Sequence, residues 1–167
     1  MSSGRLSWSR VLIGRRPRHT SLRLVVLVLA SIGVFGYCLL PVRTHGISML
    51  STYEPGRLKF VNALAYTWSQ PQRGDIVAIR LAGRRVVYLK RIIGLPTERL
   101  RIDTGMVYTD GVALDEPYVR HRAAWTVERV ALAADEYFVV GDNRGMPSAQ
   151  HEFGTVARAR IVGKVLF

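Results

Sequence analysis

Residues 84–93 read RRVVYLKRII, a stretch whose apolar and charged side chains divide between the two faces of an extended chain. At a period of two residues each face carries one cation among apolar neighbours, with Val86, Tyr88, Lys90 and Ile92 on one side and Val87, Leu89, Arg91 and Ile93 on the other. The stretch therefore predicts a β-strand and places Lys90 on an apolar face.

The apolar neighbours of Lys90 have a chemical consequence. Desolvation disfavours the charged form of a lysine, so burial lowers its pKa, by up to about 3–5 units when burial is complete. At an ordinary pKa of about 10.4 almost no lysine is neutral at pH 7, whereas a lowered pKa makes a neutral amine available as a general base. The alternative is a structural lysine that reaches to solvent or forms a salt bridge.

The chain after residue 43 consists of short alternating runs broken by Gly, Pro and Asp, which are typical of strands and turns. Asp110-Gly111 predicts a hairpin turn, because both turn positions need a positive φ. Residues 61–69 and 123–136 fit either a helix or a strand. The fold class is thus mainly β, and the predicted strands are residues 74–81 and 84–93, joined near Gly83, the hairpin 106–114, and residues 136–142 and 159–167.

An uncharged apolar run, LVVLVLASIGVFGYCLLPV, occupies residues 24–42. As a helix it would reach about 28 Å, the thickness of one bilayer core. A cleaved secretory signal has an apolar core of only about 7–15 residues and a small-x-small cleavage site, which the following PVRTHGIS lacks. A buried core helix would have a polar face, which this run also lacks. We therefore expect a basic leader (1–23), a membrane anchor (24–42) and an extracytoplasmic β-domain (43–167).

The distribution of charge orients this anchor. Of the 24 basic residues, six arginines precede the apolar run, whereas all 12 acidic residues follow it. By the positive-inside rule the N-terminus stays in the cytoplasm and residues 43–167 lie outside, so we expect a single-pass protein of the inner (plasma) membrane. Much of the net charge of +12 then faces anionic lipid, and nucleic acid is not an expected partner.

Neither metal nor disulfide chemistry is predicted. Cys38 is the only cysteine and lies in the apolar run, so no disulfide can form within one chain. His19, His45, His121 and His151 are scattered and do not have the spacing of metal ligands. We expect no metal and no cofactor.

The hydroxyl partner of Lys90 has several candidates in THGISMLSTYEPG, residues 44–56. Spacing does not rank Ser48, Ser51 and Thr52, and each of them fits a turn or a cap equally well. His45, three residues before Ser48, is a rival base, because histidine needs no large pKa shift.

Several segments together resemble the bacterial type I signal peptidases, in the order and approximate spacing of that family. They are SM at 48–49, GDIVAI at 74–79, YLKRIIGLP at 88–96, GDNR at 141–144, and FGTV with RIVGKV between 153 and 165. KRIIGLP and GDNR are the specific elements, and the resemblance extends over nearly the whole chain. It implies one N-terminal transmembrane helix followed by a β-domain of coiled, barrel-like antiparallel sheets.

The resemblance also assigns the chemistry. It makes Ser48 the nucleophile and Lys90 the general base, and the Ser48 amide becomes a donor to the oxyanion. Met49, Tyr88 and Leu89 match positions along the family's substrate-binding cleft.

Other residues match the family's framework. Arg91 and Asp142 correspond to a structural ion pair beneath the site. Gly141, Asn143 and Arg144 correspond to the loop that supports it. These residues are expected to hold the site in place and not to take part in the chemistry.

Two departures from the family lie beside the nucleophile. Where the family usually has a proline, this chain has Ser51, which implies a looser turn. Where Gram-negative members often have a second oxyanion hydroxyl, this chain has Gly46, so that donor is missing or supplied otherwise.

The largest departure follows GDNR, where the family has a Ser-x-Asp-Ser-Arg run and this chain reads GMPSAQHEFG, residues 145–154. The serine that orients the lysine in the family falls on Pro147. Its acid falls on Ala149 and its arginine on His151. Ser148, one place after Pro147, is therefore the possible lysine-orienting residue, through a shifted loop.

The function implied by the resemblance is a membrane-anchored serine endopeptidase that removes signal peptides from exported preproteins, cutting after a small residue. The rewritten loop leaves two alternatives open. One is a processing protease dedicated to a single substrate, such as a pilin of a conjugation system. The other is an anchored β-domain without turnover that binds export partners. The expected partners are preprotein or prepilin substrates and membrane lipid.

Overall fold

The computed structural model describes residues 17–80 and 87–166. It begins with helix α1, Pro17–Gly33, which continues as a π-helical turn, Val34–Cys38. The segment Arg18–Cys38 has 21 residues and a mean hydropathy of 2.0, so it is long and apolar enough to cross a membrane once.

The helix does not end where the apolar run ends. The run continues to Val42, but strand β1, Leu39–Arg43, already begins after Cys38 and pairs antiparallel with strand β2, Leu58–Asn62. Pro41 lies in this pairing and would break a helix interior, whereas an edge strand tolerates it. The last four residues of the predicted anchor are therefore a strand.

The described part of the chain after the helix contains eleven antiparallel strands and two short 3₁₀ turns, Ser148–Gln150 and Arg158–Arg160. After β1 and β2, the strands in chain order are β3 Ile76–Arg80, β4 Val87–Gly94, β5 Arg99–Asp103, β6 Met106–Thr109, β7 Val112–Ala113, β8 Val127–Ala131, β9 Glu136–Val140, β10 Gly154–Ala157 and β11 Ile161–Val165.

Seven of these strands form one sheet, in the order β1-β2-β11-β3-β4-β9-β10. The two strands predicted on either side of Gly83 are confirmed as β3 and β4, and they pair with Val77 opposite Lys90. The predicted junction near Gly83 lies in residues 81–86, outside the described residues. Strand β9 is the other neighbour of β4, so Lys90 lies near the centre of this sheet.

The other four strands form a second sheet, in the order β7-β6-β5-β8. The predicted hairpin is confirmed, because β6 and β7 pair across a turn in which Asp110 and Gly111 have φ angles of 49° and 87°. The two segments that fitted either a helix or a strand contain no helix. Residues 63–69 are turns and bends, and residues 127–131 are β8.

Three clusters of buried apolar side chains fill the β-domain. One of them covers the face of β3 and β4 to which Lys90 belongs, and another covers the opposite face, to which Leu89 belongs. The third cluster includes residues of both sheets, together with Trp125 from the segment that precedes β8. Lys90 therefore projects from a strand that is buried on both faces.

Candidate active site

Thr44 closes the loop that carries Ser48. Its amide donates to the carbonyl of Arg57 at 3.0 Å, and its own carbonyl accepts the amide of Gly56 at 2.8 Å. Its hydroxyl donates to the carbonyl of Glu54 at 2.7 Å. These bonds tie both ends of the loop together, so the serine sits on a short, closed segment directly after β1.

Ser48 occupies a turn within this loop and is half-buried. The turn follows Gly46, which has a φ of 74°, a conformation that favours glycine. The carbonyl of Ser48 accepts the amide of Asn143 at 3.0 Å. The amide of Ser48 itself makes no hydrogen bond within the described part of the chain, so it is available to a ligand.

The turn after Ser48 has a conformation that proline cannot adopt. Ser51 has a φ of 88°, whereas a proline ring fixes φ near about −65°. The Ser51 hydroxyl donates to the carbonyl of Tyr118 at 3.3 Å. Ser51 therefore gives the loop a backbone path different from the one that the family's proline would impose.

Lys90 is only 3% exposed, on the apolar face that its sequence pattern predicted. Burial lowers the pKa of its amine to about 8, and the carboxylate of Glu152 opposes this shift. The two side chains line a common cavity of about 80 Å³. The Lys90 amine makes no hydrogen bond or ion pair among the residues described, so nothing there locks it in its charged form.

Gly141 is the point where the Ser48 loop meets the strand of Lys90. Strands β4 and β9 pair with Arg91 opposite Val140, and this register continued by one residue brings Lys90 beside Gly141. A Cβ atom on Gly141 would lie less than 3.0 Å from the Ser48 carbonyl oxygen and 2.8 Å from Nε2 of His151. Because directly opposed residues project to the same face, Ser48 and His151 lie over the face from which Lys90 projects.

No hydrogen bond joins the Ser48 hydroxyl to the Lys90 amine in this structure, and the two side chains line different cavities. Such bonds are often long in an unliganded site and shorten when substrate binds.

The three residues predicted to line the substrate cleft lie beside Ser48. Met49, Tyr88 and Leu89 line one cavity with it, and the cavity measures about 40 Å³. Met49 and Leu89 are also buried in the same apolar cluster, so they are anchored in the core as well as facing this cavity.

Arg91 and Asp142 form a bidentate ion pair, with Nε to Oδ1 at 2.8 Å and Nη2 to Oδ2 at 2.6 Å. The Asp142 side chain is fully buried. It also accepts a hydrogen bond from the Thr52 hydroxyl, and Arg91 donates to the carbonyl of Gly74 and stacks on the ring of Tyr118. The ion pair thus connects the end of the Ser48 loop to β4.

Asn143 holds the loop from the other side. Its side-chain amide donates to the carbonyl of Ile47 at 3.0 Å, and its backbone amide donates to the carbonyl of Ser48. Two consecutive carbonyls of the nucleophile turn are therefore fixed by one residue of the predicted supporting loop.

Arg144 belongs to a buried network that the sequence did not reveal. Its guanidinium pairs with the buried Glu116 and donates to the carbonyl of Gly141 at 2.9 Å. Glu116 also accepts bonds from Arg122 at 2.8 Å and from the Tyr118 hydroxyl at 3.0 Å. The only available signal was a lone Asp-Glu pair in a basic stretch, DEPYVRHR, and that pattern usually indicates a solvated surface.

No hydrogen bond joins Ser148, the possible lysine-orienting residue, to Lys90. Ser148 begins an exposed 3₁₀ turn, and its hydroxyl makes no hydrogen bond within the described residues, whereas Lys90 is buried. The buried residue of this loop is His151, which stands at the position of the family's arginine and packs edge-on against Trp125 with ring centroids 4.9 Å apart.

The rival base His45 lies on the surface of the nucleophile loop and has no side-chain hydrogen bond among the described residues. Its exposure gives it no fixed orientation toward Ser48. Across residues 17–80 and 87–166, no group of three or more His, Cys, Asp or Glu side chains is arranged to hold a metal ion.

Comparison with known proteins gives a consistent result. The family described as signal peptidase, peptidase S26, matches residues 18–167. A signal peptidase I of Bacillus caldolyticus is 33% identical, with 92% of this chain and 90% of that protein covered. A probable signal peptidase I-2 of Synechocystis is 30% identical, with 89% of this chain and 72% of that protein covered. A crystal structure of a signal peptidase I of Enterococcus faecalis is 29% identical, covers 59% of this chain and 98% of that chain, and has a TM-score of 0.49.

Proposed function

This chain belongs to the signal peptidase family, peptidase S26, and we propose that it cleaves its substrates through a dyad of Ser48 and Lys90. It is a serine endopeptidase that removes signal peptides from exported preproteins. The main support for the proposed dyad is the position of Gly141, which lies against the Ser48 carbonyl and beside Lys90 on the neighbouring strand. The Ser48 backbone therefore lies over the face from which the buried Lys90 projects.

In the proposed reaction, the neutral amine of Lys90 takes the hydroxyl proton of Ser48 as the serine oxygen attacks the scissile carbonyl. The protonated lysine then gives a proton to the leaving amine, and the peptide bond breaks to leave an acyl-enzyme. Water, deprotonated by the same amine, releases the acyl group. The lowered pKa of Lys90 supports this role, because near neutral pH a base must be able to exist without its proton.

The amide of Ser48 is the proposed oxyanion donor. It makes no hydrogen bond within the described residues, so no protein bond must break before it binds the developing negative charge. The bonds from Asn143 to the carbonyls of Ile47 and Ser48 hold this turn in place during the reaction.

Substrate selection is proposed to depend on the small cavity beside Ser48. Its volume of about 40 Å³ and its lining of Met49, Tyr88 and Leu89 fit a small apolar side chain before the cut. The substrates are therefore proposed to be preproteins or prepilins with a small residue at that position.

The membrane topology completes the proposal. The apolar helix spans the inner membrane once, with its N-terminus in the cytoplasm, and the β-domain lies on the extracytoplasmic side. The arginines that precede the apolar run and the complete absence of acidic residues before it support this orientation. The site then lies on the side to which exported chains emerge.

The test uses the full-length protein in detergent or vesicles with a labelled preprotein. Ser48→Ala and Lys90→Ala variants are expected to lose cleavage by at least about 10²–10⁴-fold, the contribution of a positioned acid–base group. Ser69→Ala, a change at an exposed serine in the turns after β2, is the matched control and is expected to cleave normally. Wild-type rates in both site variants would refute the dyad.

The same assay addresses substrate range. A panel of unrelated preproteins and one prepilin, each with alanine before the cut, is offered to the wild-type enzyme. Cleavage of the whole panel identifies a general signal peptidase, whereas cleavage of the prepilin alone identifies a dedicated processing protease.

A further inference from the structure

The imidazole ring of His151 is buried without a hydrogen bond. Its side chain is 5% exposed, and neither ring nitrogen has a partner in hydrogen-bond geometry among the described residues. The carbonyls of Ser48 and Glu152 lie close enough to raise its pKa, but neither is aligned to accept a bond. A buried polar group without a partner costs stability, so such a group in a catalytic loop requires a functional explanation.

The surroundings of His151 keep the ring neutral. Burial lowers its pKa to about 4, and the positive charges of Lys90 on β4 and Arg144 on the preceding loop act in the same direction. The neighbouring Glu152 is the nearby acid, and it acts on Lys90. A neutral imidazole has one donor nitrogen and one acceptor nitrogen. The acceptor needs an N–H or O–H group opposite it, and carbonyl oxygens cannot supply one.

Lys90 has the complementary deficiency. Its amine is a donor without an acceptor in the described part of the chain, and it projects from the same face, beside Gly141, over which the His151 ring lies. The His151 ring, which lacks a donor, and the Lys90 amine, which has no acceptor among the described residues, therefore lie on the same side of Gly141.

The usual means of orienting the lysine is absent from this loop. Pro147 occupies the position of the orienting serine and has no hydroxyl, and Ser148 is exposed in its 3₁₀ turn. His151 is the polar side chain that the rewritten loop buries.

We propose that His151 is a positioning residue, whose ring nitrogen accepts a hydrogen bond from the Lys90 amine and aims that amine at the Ser48 hydroxyl. The proposal rests on the Ser48–Lys90 dyad of the proposed function. The T-shaped contact with Trp125 fixes the plane of the ring, and Trp125 in turn donates through Nε1 to the carbonyl of Met146 at 2.8 Å, which pins the loop. The histidine at the family's arginine position and the proline at its serine position are then connected. His151 takes over the role of the serine that Pro147 replaces.

The competing explanation is that His151 only fills space. Two substitutions separate the explanations, because they differ in polarity more than in size. His151→Gln keeps a hydrogen-bond acceptor in the buried position, whereas His151→Leu fills the volume with an apolar group. A residue that only packs is replaced at least as well by leucine as by glutamine.

The experiment measures kcat, KM and the pH profile of preprotein cleavage for wild type and both variants, together with their thermal unfolding midpoints. His151→Leu is expected to lose up to about 10²-fold in kcat with little change in KM, because the lysine is no longer held in place, and His151→Gln is expected to lose less. The alkaline-rising limb of His151→Leu should also move to lower pH, because the lysine loses an acceptor that favours its charged form. A leucine variant that matches wild type in kcat and pH profile, or that exceeds the glutamine variant, would overturn the inference.

Ser48→Ala and Lys90→Ala are assayed in parallel. If they are inactive while His151→Leu is normal, only the role of His151 is wrong. If they are active, the dyad itself is wrong, whatever His151 does.

Discussion

Gly141 lies against the carbonyl oxygen of Ser48 so closely that there is no room between them for a side chain. The contact joins two segments far apart in sequence, the nucleophile turn and the loop that begins where β9 ends. It sets the height of the nucleophile turn above the sheet, and therefore the separation of Ser48 from Lys90.

Gly141→Ala tests this contact. The added Cβ would be forced against a backbone oxygen and the His151 ring, so we expect the Ser48 turn to be displaced and preprotein cleavage to fall by about 10²-fold or more, since small misplacements of reacting groups are costly. Gly145→Ala is the control in the same loop, where the nearest atom is the Cβ of His121 at 3.3 Å, and it should retain activity. Equal activity of the two variants would show that the contact does not position the serine.

The ion pair of Arg91 with Asp142 should contribute to stability through its burial. Asp142→Asn leaves the Arg91 guanidinium without its counter-charge in a site where the acid is fully buried, and breaking such a pair costs about 3–5 kcal/mol. The comparison is Asp103→Asn, which breaks an exposed pair with Arg101 and should leave the urea unfolding midpoint unchanged. A similar midpoint for both variants would contradict the structural role of the buried pair.

The part of the site on regular strands was predictable from sequence. A strand projects its side chains at a fixed period, so the alternation of apolar and charged residues around Lys90 identified the sheet face on which it lies. Burial on that face then predicted that its pKa is lowered. The Asp110-Gly111 turn was predictable for a similar reason, since few residues adopt a positive φ at two successive positions.

The irregular loops were not predictable, because tertiary contacts determine them. Glu116 can be buried because Arg144 and Arg122, which come from other segments of the chain, form ion pairs with its carboxylate. His151 takes the interior position of its loop through contact with Trp125, a residue distant in sequence, whereas Ser148 is left outside. No local pattern records such pairings, so the sequence did not show that His151, and not Ser148, occupies the interior of this loop.

The pH dependence of cleavage distinguishes the two candidate bases. A neutral Lys90 is the active form, so kcat/KM should rise with pH through a midpoint of about 8 and level off above it. If His45 were the base, its replacement by a residue that cannot take up a proton would abolish the rising limb. The measurement is a profile from pH 5 to 10 for wild type and His45→Gln. An unchanged midpoint of about 8 in the variant supports Lys90, and a midpoint that disappears with His45 contradicts it.

Burial of Lys90 should also make the active enzyme less stable than an inactive variant. Its pKa is about 8 in the folded protein against an ordinary value of 10.5, so between these pH values the unfolded chain binds more protons and stability rises with pH. Below about pH 8 folding carries the full cost of the buried charge, about 3–4 kcal/mol at about 1.4 kcal/mol per unit. Lys90→Met removes that cost, so at pH 7 its free energy of unfolding should exceed that of wild type by up to this amount.

The excess should decrease to less than about 1 kcal/mol at pH 10, where wild-type Lys90 is already neutral in the folded state. Lys59→Met is the matched control, because Lys59 is only partly buried and stacks on the ring of Tyr53 at 4.3 Å. Its loss should lower stability slightly, by about 0.5–1 kcal/mol.

Urea unfolding of the three proteins at pH 7 and pH 10 makes the comparison. A gain in Lys90→Met that is the same at both pH values would mean that added apolar burial, and not the removed charge, stabilises the variant. The absence of any gain at pH 7 would mean that the lysine is not destabilised in the folded protein.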